Sequence, residues 1–240
     1  MLCIACAKPG WPLCEACQRG LKTTHDRSLG GVPVGVPFAH TATAARLVHN
    51  LKYKRNLTAG RFLAAAMASR LPVGVTALVP VRRSLSRRIA YGIDQANFLA
   101  NAVGTLVGVP VIDAVSPPLW WRRRAGAPLE ERTAIAFRAR QAVPRGAVLV
   151  DDVLTTGATV LSAAEALAPV RLSVLVATAA GRMDSGAREV PNRGGDVAKN
   201  RRATETRSPV VLSCLPEQSF ERVVGFSAPV FESAYREEHG

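Results

Sequence analysis

Two adjacent aspartates, Asp151 and Asp152, follow an apolar run in the segment 148–160, whose sequence is VLVDDVLTTGATV. The turn behind them contains a glycine, which permits a positive φ angle and close backbone approach, and it is predicted to open a helix whose first amides converge on an anion. The turn is therefore predicted to bind a terminal phosphate, while the two acids fit sugar hydroxyls and the hydrated shell of a magnesium ion. An acidic turn that only caps a helix is the simpler alternative.

Four of the five cysteines form two Cys-x-x-Cys pairs near the N-terminus, Cys3 with Cys6 and Cys14 with Cys17. Each pair can present two thiolates from a tight turn, and two pairs complete a tetrahedral four-sulfur zinc site. Because such a site has no open coordination position, the zinc would be structural. Two disulfides, redox chemistry or four idle thiols remain alternatives, although no other feature indicates an oxidising compartment. Cys214 stands alone and is assigned no role.

The charge of the chain is strongly positive and unevenly spread. The formal net charge is +13 at pH 7, and the nine basic and nine acidic residues from Arg182 onward cancel. The positive charge therefore lies in residues 1–181. A basic domain favours partners that carry phosphate, either a small ligand or a nucleic acid.

Length and hydropathy bound the class of protein. A chain of 240 residues suits one α/β domain with an appendage, or two small domains. Its apolar runs are shorter than the roughly 20 residues that a membrane span needs. The first residues, MLCIACAKPGWPLC, lack the basic start and continuous apolar centre of a secretory signal. We therefore expect a cytoplasmic protein with no membrane span.

Helical and strand patterns alternate along the middle of the chain. The predicted helices cover Ala44–Leu51, 58–70 with Thr58 as its cap, 94–107, 129–140 and 157–168. The predicted strands cover 76–81, 109–115, 147–150 and 171–179. This alternation predicts an α/β fold with a mostly parallel sheet flanked by helices on both faces. Such sheets bind ligands at the carboxyl ends of their strands.

The remaining segments divide the chain into three parts. Residues 1–22 are predicted to form a small zinc module, and residues 40–181 the sheet domain. The stretch 23–37 is rich in Gly, Pro and Val and is interpreted as a connector, and WWRRRAG at 120–126 as an exposed or ligand-facing loop. Residues 182–240 are polar and mostly aperiodic, and they are predicted to be a mostly disordered tail.

The segment 148–160 resembles the phosphoribosyl-pyrophosphate (PRPP) motif of type I phosphoribosyltransferases, where four apolar residues precede two acids and a Thr-Thr/Ser-Gly-x-Thr loop. The resemblance implies that fold and a ribose-5-phosphate site. Asp151 and Asp152 would be the catalytic residues, and their carboxylates would face the ribose 2- and 3-hydroxyls. The PRPP-binding loop would comprise Val153, Leu154, Thr155, Thr156, Gly157, Ala158 and Thr159.

A narrower resemblance, to the ComF family of competence and GntX-like proteins, covers most of residues 1–181. It is carried by the cysteine pairs, LKYKR at 51–55, VPVRR at 79–83 with GIDQ at 92–95, and the PRPP motif. Family members usually carry VPVPLHPRR and RRGFNQ, whereas this chain has Ser-Leu for His-Pro and Ile-Asp for Phe-Asn, and its segment 126–137 is shortened. The resemblance implies PRPP binding and a link to DNA uptake. The departures alter the pyrophosphate and acceptor sides and leave the phosphate loop intact.

Transfer from PRPP would pass through an oxocarbenium-like state while negative charge builds on the leaving pyrophosphate. Catalysis would then depend on positioning and on neutralisation by Mg²⁺ and cationic side chains. Arg82 and Arg83 are the predicted pyrophosphate ligands, followed by Arg87 and Arg88.

A general base for the acceptor is not evident in the sequence, and Asp152 or Asp94 is only a guess. The four histidines are scattered, without an acid or nucleophile pattern beside them, and are assigned no catalytic role. They are His25, His40, His49 and His239.

A second hypothesis is a non-catalytic module that senses PRPP or a nucleotide and holds single-stranded nucleic acid. Clustered cations would neutralise its phosphates, and aromatic rings would stack on its bases. The cations are Arg87, Arg88, Lys52 and Lys54, and the rings are Trp120, Trp121 and Tyr53. A hydrophobic cover over the sheet is the alternative role for the two tryptophans.

Overall fold

A computed structural model describes residues 1–82, 92–117 and 136–181, and in these ranges helices and strands alternate. The helices are α1 (Glu15–Gly20), α2 (Ala42–Lys54), α3 (Leu57–Ala68), α4 (Gln95–Val107) and α5 (Ala158–Ala166). The strands are β1 (Arg27–Leu29), β2 (Val32–Gly35), β3 (Phe38–Ala39), β4 (Ala77–Pro80), β5 (Val115–Ser116), β6 (Arg138–Ala139), β7 (Ala147–Leu154) and β8 (Ser173–Ala179). The predicted α/β class is confirmed.

Six of these strands form a mixed, mostly parallel sheet in the order β1-β2-β8-β7-β4. Strand β3 also pairs with β8, next to Thr178 and Ala179. Strands β2, β3 and β7 run parallel to β8, and β4 runs parallel to β7. Only the β1–β2 pair of this sheet is antiparallel. The carboxyl ends of β3, β8, β7 and β4 therefore meet at one edge of the sheet.

The first residues of β7 are all apolar because both faces of the sheet are covered there. Val148 and Val150 pack with residues of α2, α3 and α4 on one face of the sheet. Ala147 and Leu149 pack with residues of α5 on the other face. A parallel strand that is covered on both faces needs apolar side chains at odd and even positions alike. The prediction of helices on both faces is therefore confirmed.

The interpretation of residues 23–37 as a connector is wrong. This stretch contains β1 and β2, which pair from Arg27 with Val34 to Leu29 with Val32. The intervening Gly30 and Gly31 have φ angles of 57° and 83°. Two residues with positive φ are what a tight hairpin turn needs, and glycine adopts this conformation at little cost. The Gly-Gly pair was the signal for a hairpin.

Three further predictions need correction. Helix α3 is capped by Asn56, whose side chain accepts a hydrogen bond from the Ala59 amide at 3.0 Å, and not by Thr58. Of the predicted strand 109–115, Val111 forms one parallel bridge with Leu78, next to Pro110, which has no amide hydrogen to donate, and Val115 begins the short strand β5. The end of the predicted helix 129–140 forms β6, which pairs with β5.

Some predictions concern residues outside the described ranges. These are the loop 120–126, most of the helix 129–140, and the tail 182–240. Within the described ranges, every helix is too short or too polar to cross a membrane.

Helices α3 and α4 approach each other closely at Gly60. A Cβ atom at this position would overlap the Phe98 ring and lie 2.8 Å from Leu51 Cδ1. We expect Gly60→Val to lower the free energy of unfolding by about 1–3 kcal/mol, because overpacking forces neighbours out of their preferred rotamers. Urea unfolding would measure this loss. Arg61→Val is the matched control, since it puts the same side chain on an exposed position of the same helix. Equal losses in both variants would contradict the packing explanation.

Candidate functional site

The two aspartates lie within β7 and not after its end. The sequence placed the end of the strand at Val150, but β7 continues to Leu154, and Val153 and Leu154 still pair with Thr178 and Ala179. The aspartates therefore belong to the carboxyl-terminal half of the strand. A side chain on a paired strand is held more firmly than one on a loop, so both acids are positioned by the sheet.

The two acids have different surroundings. Asp152 is 4% exposed, and its Oδ2 lies 3.8 Å from Nζ of Lys52 in the last turn of α2. Asp151 is half-buried, and its Oδ1 accepts a hydrogen bond of 2.8 Å from the Asp152 amide. A buried carboxylate requires a charged or hydrogen-bonding partner, which Lys52 supplies. Lys52, predicted from sequence to meet nucleic-acid phosphates, thus lies in a mostly buried ion pair.

The turn after β7 exposes the groups that were predicted to bind phosphate. Thr155, Thr156 and Ala158 are exposed, and Thr159 is half-buried. The Thr156 hydroxyl accepts a hydrogen bond of 3.4 Å from the Ala158 amide. The two residues before the turn differ, because Leu154 is buried and Val153 is half-buried, and both pack against the apolar core. Val153 and Leu154 therefore hold the turn in place with their side chains.

Gly157 begins helix α5 with a φ angle of +79°, in the left-handed region that favours glycine. A Cβ atom here would overlap the side chain of Leu29 in β1. The glycine is thus required by the backbone conformation and by the packing of the β1–β2 hairpin against the turn. A larger side chain at this position would disturb the hairpin as well as the loop, so Thr156 is the cleaner position for a test.

His40 belongs to this edge of the sheet, although no role was predicted for it from the sequence. It follows β3, its amide donates to the Ala179 carbonyl at 2.8 Å, and its Nδ1 lies 2.8 Å from Thr178 Oγ1. Burial lowers the pKa of His40, an effect that Asp152 partly offsets and Lys52 reinforces. Thr178 is 138 residues away along the chain. No local pattern could have indicated this contact.

Arg82, a predicted pyrophosphate ligand, already has partners in the protein. Its Nη1 donates to Asp113 Oδ2 and its Nη2 to Asn97 Oδ1, both at 3.0 Å. Its Nε lies 3.8 Å from Asp94 Oδ2. Asp94 also caps α4 by accepting from the Asn97 amide at 3.3 Å. Arg82 therefore connects the end of β4 with the start of α4 through Asn97 and Asp94. It also binds Asp113.

Of the other predicted cations and rings, two lie in the described ranges. Tyr53 and Lys54 are exposed at the end of α2. The remaining residues that were predicted to bind pyrophosphate or nucleic acid lie outside the described ranges. They are Arg83, Arg87, Arg88, Trp120 and Trp121.

The four N-terminal cysteines form one cluster, as predicted. The Sγ atoms of Cys3, Cys6, Cys14 and Cys17 lie within 4.8 Å of one another, and those of Cys6 and Cys14 are 3.5 Å apart. All four are free thiols. A tetrahedral zinc site with Zn–S bonds of about 2.3 Å places its sulfurs roughly 3.8 Å apart. The cluster is therefore a possible metal site and is consistent with structural zinc.

The surroundings of the cluster favour a cation at its centre. Burial alone would raise the pKa of Cys3, but backbone amides that hydrogen-bond to its sulfur lower it to about 6. Burial and the neighbouring thiols raise the pKa of Cys17 to about 12. Four adjacent thiolates repel one another unless a divalent cation neutralises them. Arg46 Nη1, 3.9 Å from Cys17 Sγ, adds a further positive charge.

The cysteine module is packed onto α2. The Asn50 side chain donates to the carbonyls of Ile4 at 2.8 Å and Ala5 at 3.1 Å. Ile4 and Leu13 belong to the same buried cluster as Leu47 of α2. The sequence analysis treated residues 1–22 as a separate module, but their apolar side chains share the core of the sheet domain.

We expect one zinc ion per chain in the native protein and none in Cys14→Ser, measured by metal analysis after exhaustive dialysis. Because the module shares the domain core, removal of the metal with a chelator should also lower Tm by about 4 °C or more, equivalent to about 1–2 kcal/mol. Cys214→Ser is the control and should keep its zinc. Equal zinc in the native protein and in Cys14→Ser would contradict the assignment.

Comparison with known proteins identifies no relative. No protein-family model matches the chain, and no curated protein matches it. The functional argument therefore rests on the residues and their geometry.

Proposed function

We propose that the chain binds PRPP, or a related ribose-5-phosphate ligand, together with Mg²⁺ and transfers its phosphoribosyl group to an acceptor, as a ComF-like protein with a type I phosphoribosyltransferase-like fold. One observation carries the proposal. Asp151 and Asp152 lie near the carboxyl end of a central parallel strand, and that strand is followed by a Thr-Thr-Gly turn with two exposed threonines that leads into α5.

The arrangement suits the two ends of a sugar phosphate. The amides at the start of α5 and the hydroxyls of Thr155 and Thr156 are donors for a phosphate dianion, which the positive end of the helix dipole also favours. The half-buried carboxylate of Asp151 is an acceptor for ribose hydroxyls. Since only four residues lie between Asp151 and Thr156 in the sequence, one ligand can contact both groups.

In this mechanism the protein mainly positions the ribose and neutralises charge. Mg²⁺ with its water and substrate oxygens would supply positive charge to the leaving pyrophosphate. Asp151 would orient the ribose, and the turn would anchor the 5-phosphate, so that binding energy far from C1 fixes the reacting centre. Because the charge of Arg82 is balanced by Asp113 and Asp94, we infer that Arg82 shapes the pyrophosphate side and that other cations contact the pyrophosphate.

Substitutions at the two ends of the site should fail in different ways. Thr156→Val removes a hydroxyl donor and should weaken phosphate, ribose 5-phosphate and PRPP alike, by about 10-fold or more, because hydrogen bonds to charged groups contribute about 1.5–3 kcal/mol. Asp151→Asn keeps the shape and removes the charge, so it should leave phosphate affinity unchanged and weaken PRPP in the presence of Mg²⁺. Calorimetric titrations with the three ligands, with and without Mg²⁺, would measure both effects.

Thr105→Val is the control for the threonine substitution, since Thr105 is exposed on α4 and its hydroxyl donates only to the Asn101 carbonyl. It should bind like the native protein. If the native protein binds none of the three ligands at millimolar concentration, the turn is only a helix cap and the proposal is wrong.

A second candidate function, binding of single-stranded nucleic acid, is favoured by the exposed Tyr53 next to the exposed Lys54. Tyr53 is 51% exposed and can stack on a base, while Lys54 and the net positive charge can neutralise phosphates.

For this candidate, oligonucleotide affinity should fall steeply with salt, with a slope of log K against log salt of about −0.7 for each neutralised phosphate. Tyr53→Ala should cost about 1–3 kcal/mol of binding free energy. Val73→Ala is the control, because Val73 is fully exposed but precedes β4 and so lies at the opposite end of the strand. Affinity that hardly changes with salt would rule this function out.

A further inference from the structure

A cluster of four polar side chains lies where β3, β8 and β7 end, and none of the four makes the phosphate and ribose contacts proposed above. His40 follows β3, Thr178 is in β8, Asp152 is in β7, and Lys52 reaches Asp152 from α2. His40 and Thr178 contact each other through Nδ1 and Oγ1 at 2.8 Å. His40 is only half-buried, so a ligand can approach its ring.

The order of the strands separates two sides of the candidate site. Strand β4, which leads into Arg82 and Arg83, is the neighbour of β7 on one side. Strand β8, with β3 beside it, is the neighbour of β7 on the other side. Arg82 and His40 thus lie on opposite sides of β7, the strand that carries Asp151 and Asp152.

Substitution at C1 of the ribose likewise has two opposite sides. The incoming nucleophile and the departing pyrophosphate occupy opposite faces of C1. If the pyrophosphate lies on the side of β4 and Arg82, the acceptor must approach from the side of β8 and β3, where His40 lies.

We propose that His40 is the catalytic base of the transfer and that the acceptor is a nucleophile with an N–H group, such as a nucleobase or an amine. The inference rests on the proposed function. The acceptor nitrogen forms the new bond to C1, and the C1–O bond to pyrophosphate breaks. The pyrophosphate leaves with the electron pair of that bond, and the proton of the acceptor N–H passes to Nε2 of His40.

The contacts of His40 prepare Nε2 for this step. When Nδ1 carries the proton it donates to Thr178 Oγ1, and Nε2 is then the acceptor nitrogen of the ring. Burial lowers the pKa of His40 from 6.5, so the neutral ring dominates at pH 7 even though Asp152 opposes the shift and Lys52 reinforces it. Thr178 is then a positioning residue, since it holds the His40 ring at Nδ1 from a fully buried position.

The two carboxylates that sequence alone offered as bases are engaged elsewhere. Asp152 is 4% exposed and paired with Lys52. Asp94 caps α4 and lies 3.8 Å from Arg82. His40 is partly exposed and uncharged at neutral pH, so it is better suited than either carboxylate to accept a proton from a bound acceptor.

The test is turnover of PRPP to pyrophosphate with a panel of nucleobases and amines, followed from pH 5 to 9. In His40→Gln we expect kcat to fall by about 10²–10⁴-fold at pH 7.5, the usual contribution of a general base, while the calorimetric Kd of PRPP stays within about twofold. In the native protein kcat should decline only at a pH lower than the ordinary histidine pKa of 6.5, because burial lowers the pKa of His40 and so delays protonation of the ring. His40→Gln should lack this decline.

Two further variants distinguish catalysis from a structural role. Thr178→Val should lower kcat by a smaller factor than His40→Gln and keep the acid decline, and it also serves if His40→Gln does not fold. His25→Gln changes an exposed histidine away from the cluster and should behave like the native protein.

The possible failures are separable. Native protein that binds and turns over PRPP while His40→Gln keeps the native kcat and pH profile, or Thr178→Val keeps the native kcat, would overturn the role of His40 alone. Native protein that neither binds nor turns over PRPP would overturn the proposed function and this inference together.

Discussion

The ion pair between Asp152 and Lys52 links the last turn of α2 to the carboxyl-terminal half of β7. A carboxylate that is 4% exposed costs several kcal/mol unless a partner offsets the lost hydration. The partner comes from the last turn of α2, where a cation also complements the negative end of the helix dipole. The pair therefore requires α2 to lie across the carboxyl end of β7, with its last turn at the candidate ligand site.

The cysteine module fixes the same helix. Asn50 binds two carbonyls of the module, and Arg46 lies near Cys17, so successive turns of α2 contact the cysteine cluster and then Asp152. A metal bound to the cluster would hold in place the turn whose Ile4 and Ala5 carbonyls accept hydrogen bonds from Asn50. The cysteine module would then stabilise the candidate site through the position of α2, although the module lies outside that site. This dependence follows from packing and was absent from the sequence-based division at residue 22.

The sequence predicted the features that depend on local chemistry and missed those that depend on distant partners. The cysteine pairs, the helix that begins after Asp94, and the apolar start of β7 were all evident, because each is encoded within a short stretch. The β1–β2 hairpin was missed although Gly30-Gly31 signals it, since its strands are short and were read as a loop. The true cap Asn56 is two residues before the one chosen. The contacts of His40 and Lys52 with β7 and β8 could not be found, because they arise only when the sheet assembles.

Adjacent acids on a strand must face opposite sides of the sheet, and this explains how Asp151 and Asp152 acquire different properties. Asp152 faces α2, where Lys52 already balances its charge before any ligand binds. Asp151 remains half-buried and available to a ribose hydroxyl. Under the proposed function the two carboxylates have separate roles: Asp152 holds α2 over the end of the sheet, and Asp151 would contact the ligand. A PRPP ligand would bring a further positive charge to such a site as the Mg²⁺ bound to its own pyrophosphate.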